Sequence, residues 1–108
     1  MSTWCRSSQR NTPHEQAGRR PVVVLQTNQL NYLSTTVIVP LTSRTHHAGG
    51  ATAVALPVAE TGLPSDSYAL CLHIRVLDQG KLGRRVGQVS EAKMSEIETT
   101  VYFVLGLP

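Results

Sequence analysis

Residues 14–25, HEQAGRRPVVVL, set a glycine and two arginines against a proline, and an unbroken apolar run follows. A guanidinium at the mouth of a buried strand has three outlets: solvent, an acidic partner, or an anion held in place. Arg19 and Arg20 are therefore the first candidates for chemistry. A guanidinium stays charged at ordinary pH, and its forked N–H groups match two phosphate oxygens at once. Pro21 fixes the backbone just beyond Arg20. Taken alone, an arginine before proline in a basic loop is most often a solvated charge, so the rest of the chain has to decide.

The chain has 108 residues, enough for one domain and too few for two. A net charge of +3 is compatible with a nucleic-acid partner without demanding one. The charge is uneven: residues 1–20 carry four Arg against one Glu, whereas residues 86–108 carry three Glu against one Lys. An anionic partner is therefore expected at the front or middle of the chain. Cys5 and Cys71 make no disulfide framework or zinc pattern, and Cys71, in an apolar run, reads as a small core residue. No apolar stretch reaches the roughly 20 residues that span a bilayer, and MSTWCRSSQRNTP lacks the apolar segment of a signal peptide. A soluble, reducing, cytoplasmic setting without membrane contact is the expectation.

Element signals locate the candidates. Residues 1–20 are polar and without period, as in a loop or irregular arm. Strands are predicted at 22–26 (VVVLQ), 35–41 (TTVIVPL, with Pro40 marking an edge or bulge) and 51–58 (ATAVALPV). The longest extended run is 67–77, SYALCLHIRVL, with Ala69, Cys71, His73, Arg75 and Leu77 on one face. The stretches TNQLNYLS, AETGLPSD and DQGKLGRR read as turns or loops, and VGQV as a short strand. Ser90 is placed as an N-cap ahead of Glu91. Met94, Ile97, Val101 and Val104 or Leu105 recur at helical spacing, so a helix is predicted over 91–105, stopped by Gly106 and Pro108. Short strands with one terminal helix give a mainly β (α+β) class: a small β-barrel with helical decoration.

Four motifs now stand in order: HEQAGRRPVVVL, TVIVPLTSR, GLPSDSYALCLHIRVLD and KLGRRVGQVSEAKMSEIETTVYFVLGL. Together they resemble the MazF/PemK family of toxin ribonucleases over residues 14 to 107. The family pattern is an E-Q-x-G-x-R-P lead into a strand, a strand ending in P-L-T-S, a D-S-x-A-L…I-R-x-L-D stretch and a closing helix. The resemblance implies a small SH3-like β-barrel with a C-terminal helix, in a homodimer. It implies cleavage of single-stranded RNA without metal or other cofactor, with a cognate antitoxin blocking the site. DNA would be met only indirectly, through an antitoxin complex. The implied catalytic pair is Arg20 and Thr42. A DNA-gyrase-directed toxin on the same fold is a weaker option, because R-P and L-T-S belong to the ribonuclease branch.

The chemistry is self-consistent. RNA brings its own nucleophile, the 2′-hydroxyl, so the protein must supply a proton acceptor and donor, a cation and a grip on the substrate. Arg20 supplies the cation, Thr42 a hydrogen bond to a non-bridging oxygen, and Ser43 assists. His14, with an ordinary pKa of about 6.5, is better tuned than arginine for proton transfer. Glu15 and Gln16 are placed to orient the arginines or to cap the turn, Arg19 and Arg44 to meet RNA, and His73 and Arg75 to line the groove. Arg75 could equally pair with Asp78 or Asp66. His46, His47, Arg84 and Arg85 read as solvated loop residues.

Two places depart from the family pattern. Residues 1–13 replace its alternating first strand, abruptly, as a shifted reading frame or a replaced start would, so the domain is expected over 14–108. Leu72 and His73 stand where the family commonly has an acid and then Gln. A degenerate barrel that only binds an antitoxin or nucleic acid is the alternative these departures raise.

Overall fold

The computed structural model describes residues 13–16, 20–30, 32–43 and 50–107. Among these, the order is β1 (Pro13–Gln16), β2 (Arg20–Val24), a 3-10 turn (Asn28–Leu30), β3 (Thr35–Thr42), β4 (Ala53–Leu56) and α1 (Val58–Thr61). It continues with β5 (Ser67–Leu70), a 3-10 turn (Cys71–His73), β6 (Arg75–Asp78), a 3-10 turn (Gln79–Lys81), β7 (Leu82–Arg85) and α2 (Glu91–Leu105). The sheet runs β4-β5-β3-β2-β1-β7, and β6 also pairs with β3. Every pairing is antiparallel.

The helix lies over the residues predicted for it. The Ser90 side chain accepts a hydrogen bond from the Lys93 N–H at 3.2 Å, which satisfies one of the orphan donors of the first turn. Gly106, at φ 72°, ends the helix in the left-handed region, and the Leu107 N–H closes the turn onto the Tyr102 carbonyl at 2.9 Å. Met94, Ile97 and Val101 are buried on one stripe, and Val104 packs at its end.

Several boundaries depart from the sequence reading, and pairing accounts for them. Residues 1–20 are not irregular throughout, because Pro13–Gln16 pair with both β2 and β7. The β2 edge is therefore covered there. The DQGKLGRR stretch contains a strand rather than only a turn: Leu82–Arg85 extend along β1, although Gly83 and two arginines carry little strand propensity of their own. VGQV is not a strand. Its Gly87 lies so close to α1 that a Cβ would come within 1.4 Å of the Thr61 carbonyl oxygen. The AETGLPSD loop begins inside α1, which ends at Thr61. The extended run 67–77 is two strands and a turn.

That last correction follows from β3, which serves two partners. It pairs with β6 through Ile38↔Arg75 and with β5 from Leu41↔Ala69. Between those pairs β3 advances from Ile38 to Leu41 while the facing chain runs from Ala69 to Arg75, and the surplus is the 3-10 turn Cys71–His73. Pro40 sits at this handover rather than at a strand end or sheet edge. The Leu25 N–H donates to the Val37 carbonyl at 2.9 Å, so by alternation Val23↔Val39 is hydrogen-bonded and Val22↔Pro40 is not. The backbone nitrogen of residue 40 thus points at the gap between β5 and β6, where no ladder bond is lost.

Alternation divides the sheet into two packed faces. Val23, Val39, Leu41, Val54, Leu56, Ala69 and Cys71 form the main core with Met94, Ile97 and Val101 of α2. Val22, Val24 and Ile38 form a second cluster on the other face, packed by Leu77 of β6 and Leu82 of β7. Those last two strands border opposite sides of β3-β2-β1, so the sheet curls until its borders share one small core. This is the mainly β barrel with a C-terminal helix that the sequence predicts.

Thr36 is fully buried on the β3 face shared with Ile38, and its Oγ1 has no hydrogen-bond partner among the described residues. An unsatisfied buried hydroxyl costs about 1–3 kcal/mol. Thr36→Val is therefore expected to raise unfolding stability by about 1 kcal/mol, read as a higher urea midpoint at unchanged slope. A lower midpoint would mean that the hydroxyl has a partner.

Candidate active site

The site is built by the β2–β3 ladder. The pairs Val22↔Pro40, Val23↔Val39 and Val24↔Ile38 fix its register. Carried two residues further, the same register sets Arg20, the first residue of β2, opposite Thr42, the last of β3. Like Val22↔Pro40, this is a non-hydrogen-bonded position, where facing side chains come closest. Arg20 is exposed and Thr42 half-buried, so a guanidinium and a hydroxyl share a solvent-reached rim above the Val22–Val24–Ile38 cluster.

The row continues on both sides. Gln16 of β1 pairs with Arg20, and Tyr68 of β5 pairs with Thr42. With the β2–β3 register carried to the strand ends, Gln16, Arg20, Thr42 and Tyr68 fall on one line across four strands. Glu15 pairs with Pro21, one ladder position from the Gln16–Arg20 pair, and His14 with Val22, two positions from it. Ser43 follows Thr42 and is exposed.

The remaining candidates lie further off. Arg75 is exposed and opposite Ile38, so it shares the face of Arg20 and Thr42. It stands four β3 residues from Thr42, about 13 Å along the strand. His73 is exposed on the 3-10 turn, outside the ladder that carries the pair. Arg19, Arg44, His46 and His47 lie outside the described residues. Arg85, read from sequence as part of a solvated turn, ends β7 opposite His14 and is exposed. Only pairing with β1 puts it beside the site, and no local pattern signals that. Among the described strand positions on the face of Arg20 and Thr42 there is no Asp or Glu. The electrostatics of this face therefore favour an anion.

Cys71 is not part of this chemistry. It is fully buried in the main core, with Sγ 3.8 Å from the Ala69 carbonyl and 3.9 Å from that of Ile97. Burial pushes its thiol from an ordinary 9.0 up to about 11. The unfolded thiol therefore ionises before the folded one, and stability falls as pH rises through that window. In a Cys5→Ser background, Cys71 is expected to resist iodoacetamide at pH near 8 until denaturant unfolds the chain. Rapid labelling of the native protein would contradict its burial.

Comparison with known proteins places this geometry in context. The profile of a family described as PemK-like, MazF-like toxin of type II toxin–antitoxin system matches residues 3–105. An endoribonuclease MazF of Staphylococcus saprophyticus is 37% identical over 94 residues, covering 86% of this chain and 78% of that protein. Among solved structures, an endoribonuclease from a mycobacterial species superposes with a TM-score of 0.82 at 26% identity, covering 94% of each chain. A mycobacterial endoribonuclease in complex with its cognate antitoxin superposes at 0.78 and 26% identity, covering 94% of this chain and 96% of that one.

Proposed function

The chain belongs to the PemK-like, MazF-like toxin family of type II toxin–antitoxin systems, and on that premise we propose that it is an endoribonuclease cutting single-stranded messenger RNA without a metal. The observation that carries this reading is the β2–β3 register, which carried two residues further brings Arg20 opposite Thr42 on a face with no Asp or Glu among the described strand positions. RNA holds its nucleophile on the ribose carbon next to the one that bears the scissile phosphate, so the protein need only align, neutralise and move protons.

The reaction assigned to the site has one displacement. The 2′-oxygen attacks phosphorus and gives up its proton, the P–O5′ bond breaks, and O5′ takes a proton. The products are a 2′,3′-cyclic phosphate and a 5′-hydroxyl. Arg20 is the group that meets the non-bridging oxygens as negative charge builds, through two N–H donors at once. Thr42 donates its hydroxyl to one of those oxygens, with Ser43 beside it. The backbone of His14 is two ladder positions away, and its imidazole is the side chain best suited to carry the proton near neutrality. Gln16, paired with Arg20, orients it from the neighbouring strand, whereas Glu15, paired with Pro21, falls on the other alternation. Arg75 meets the RNA backbone further along the same face, with His73 at the groove edge, and Arg19 and Arg44 are assigned further contacts with RNA.

Partners follow from the family and its relatives. A mycobacterial endoribonuclease forms a complex with its cognate antitoxin, and an antitoxin that covers the Arg20 rim would silence this chain. We place its action in the cytoplasm, where messenger RNA lies, as a homodimer that reaches DNA only through an antitoxin complex.

The test is incubation of a long single-stranded RNA with the purified protein in EDTA, beside Arg20→Ala. Discrete cuts with cyclic-phosphate and 5′-hydroxyl ends are expected. Arg20→Ala should reduce their rate by about 100-fold or more while circular dichroism stays unchanged, because the residue is exposed. Intact RNA from folded wild-type protein across about pH 5–9, the span that brackets histidine titration, would overturn the proposal.

A further inference from the structure

We infer that Tyr68 is the base-stacking residue of this site: its ring receives the base of a nucleotide flanking the phosphate held between Arg20 and Thr42, and so sets a base preference beside the cut. This rests on the function proposed above and adds a specificity element to it.

The ladder supplies the argument. Tyr68 pairs with Thr42 on one side and with Ala55 on the other. Its chain neighbours Ser67 and Ala69 are buried, while Tyr68 is only partly so. The ring therefore leaves the main core and lies on the face that carries Thr42 and Arg20. Strand spacing puts it one step, about 5 Å, from Thr42 and two steps, about 10 Å, from Arg20. Ala55 is exposed and small, so the far side of the ring is not walled by a large neighbour.

A cation, a hydroxyl and an aromatic face in consecutive ladder positions match one nucleotide step. The first two grip a phosphate, and the third lies where an adjacent base can turn. Single-stranded RNA presents unstacked bases that pack on aromatic side chains. Such stacking is tolerant of sequence but stronger for larger rings, so a purine is favoured at the stacked position. Arg20 and Thr42 alone cannot make that distinction, because phosphates carry no base information.

The test uses Tyr68→Phe and Tyr68→Leu in the full chain. The readouts are kcat and KM on a single-cut RNA, and the Kd for the same oligonucleotide with a 2′-deoxy residue at the cut. A matched series carries a purine, a pyrimidine or an abasic nucleotide at each position flanking the cut. Tyr68→Phe should behave as wild type. Tyr68→Leu should raise KM and Kd by about 5- to 150-fold with kcat little changed. It should also erase the purine preference at one flanking position, and it should match wild type on the RNA that is abasic there. Wild-type binding by Tyr68→Leu, or an equal loss on abasic RNA, would overturn the inference and leave the nuclease proposal standing. Tyr68-dependent binding of the deoxy oligonucleotide by a wild-type protein that cuts no RNA would support the stacking role and overturn the nuclease. Absence of binding by wild type would overturn both.

Discussion

The pairing of β2 with β3 is the constraint on which the rest depends. Three registered pairs, Val22↔Pro40, Val23↔Val39 and Val24↔Ile38, are buried on both faces of the sheet. Side chains alternate with period two, so a slip of one residue would send Val23 and Val39 out of the main core and Val22, Val24 and Ile38 into it. Both faces resist that exchange, because α2 packs on one and Leu77 and Leu82 on the other. Burial of these side chains, at roughly 1.5–3 kcal/mol each, therefore also fixes what stands at the end of the ladder. Continued to the strand ends, that register carries Arg20 toward Thr42, because the valines behind them cannot shift.

The second constraint is that β3 must hold two partners on its other side. Pro40 marks the position where β6 hands over to β5, and the 3-10 turn Cys71–His73 takes up the surplus chain. The arrangement brings β5 up to the Thr42 end of β3, which is how Tyr68 joins the row. It also lets β6 lead into β7 through a short turn and close the small core with Leu77 and Leu82. Energetics and site geometry thus share residues. The proline that costs no hydrogen bond is one alternation from the threonine that would meet the substrate.

Much of this was legible in the sequence, for identifiable reasons. The helix 91–105 announced itself by its spacing, its Ser90 cap and its glycine stop, all local signals. β2 and β3 were visible in β-branched runs. β7 was not, because Leu82–Arg85 extend only where β1 offers a partner. The break inside 67–77 was hidden for the converse reason: SYALCLHIRVL alternates well by itself, and only competition between two stretches for β3 puts a turn in it. The catalytic candidates divide in the same way. Arg20 and Thr42 were named from motifs, while their adjacency is a property of register. The places of Tyr68 and Arg85 beside them are visible only once the strands are paired.

The central claim is that Arg20 and Thr42 act on one phosphate, and a double-mutant cycle tests it most directly. kcat/KM would be measured for wild type, Arg20→Ala, Thr42→Val and the double variant on one RNA. Two groups gripping the same phosphate should be coupled, with the double variant little worse than Arg20→Ala and an interaction energy of about 1 kcal/mol or more. Fully independent losses that simply multiply would contradict the account and place the two residues on separate parts of the substrate.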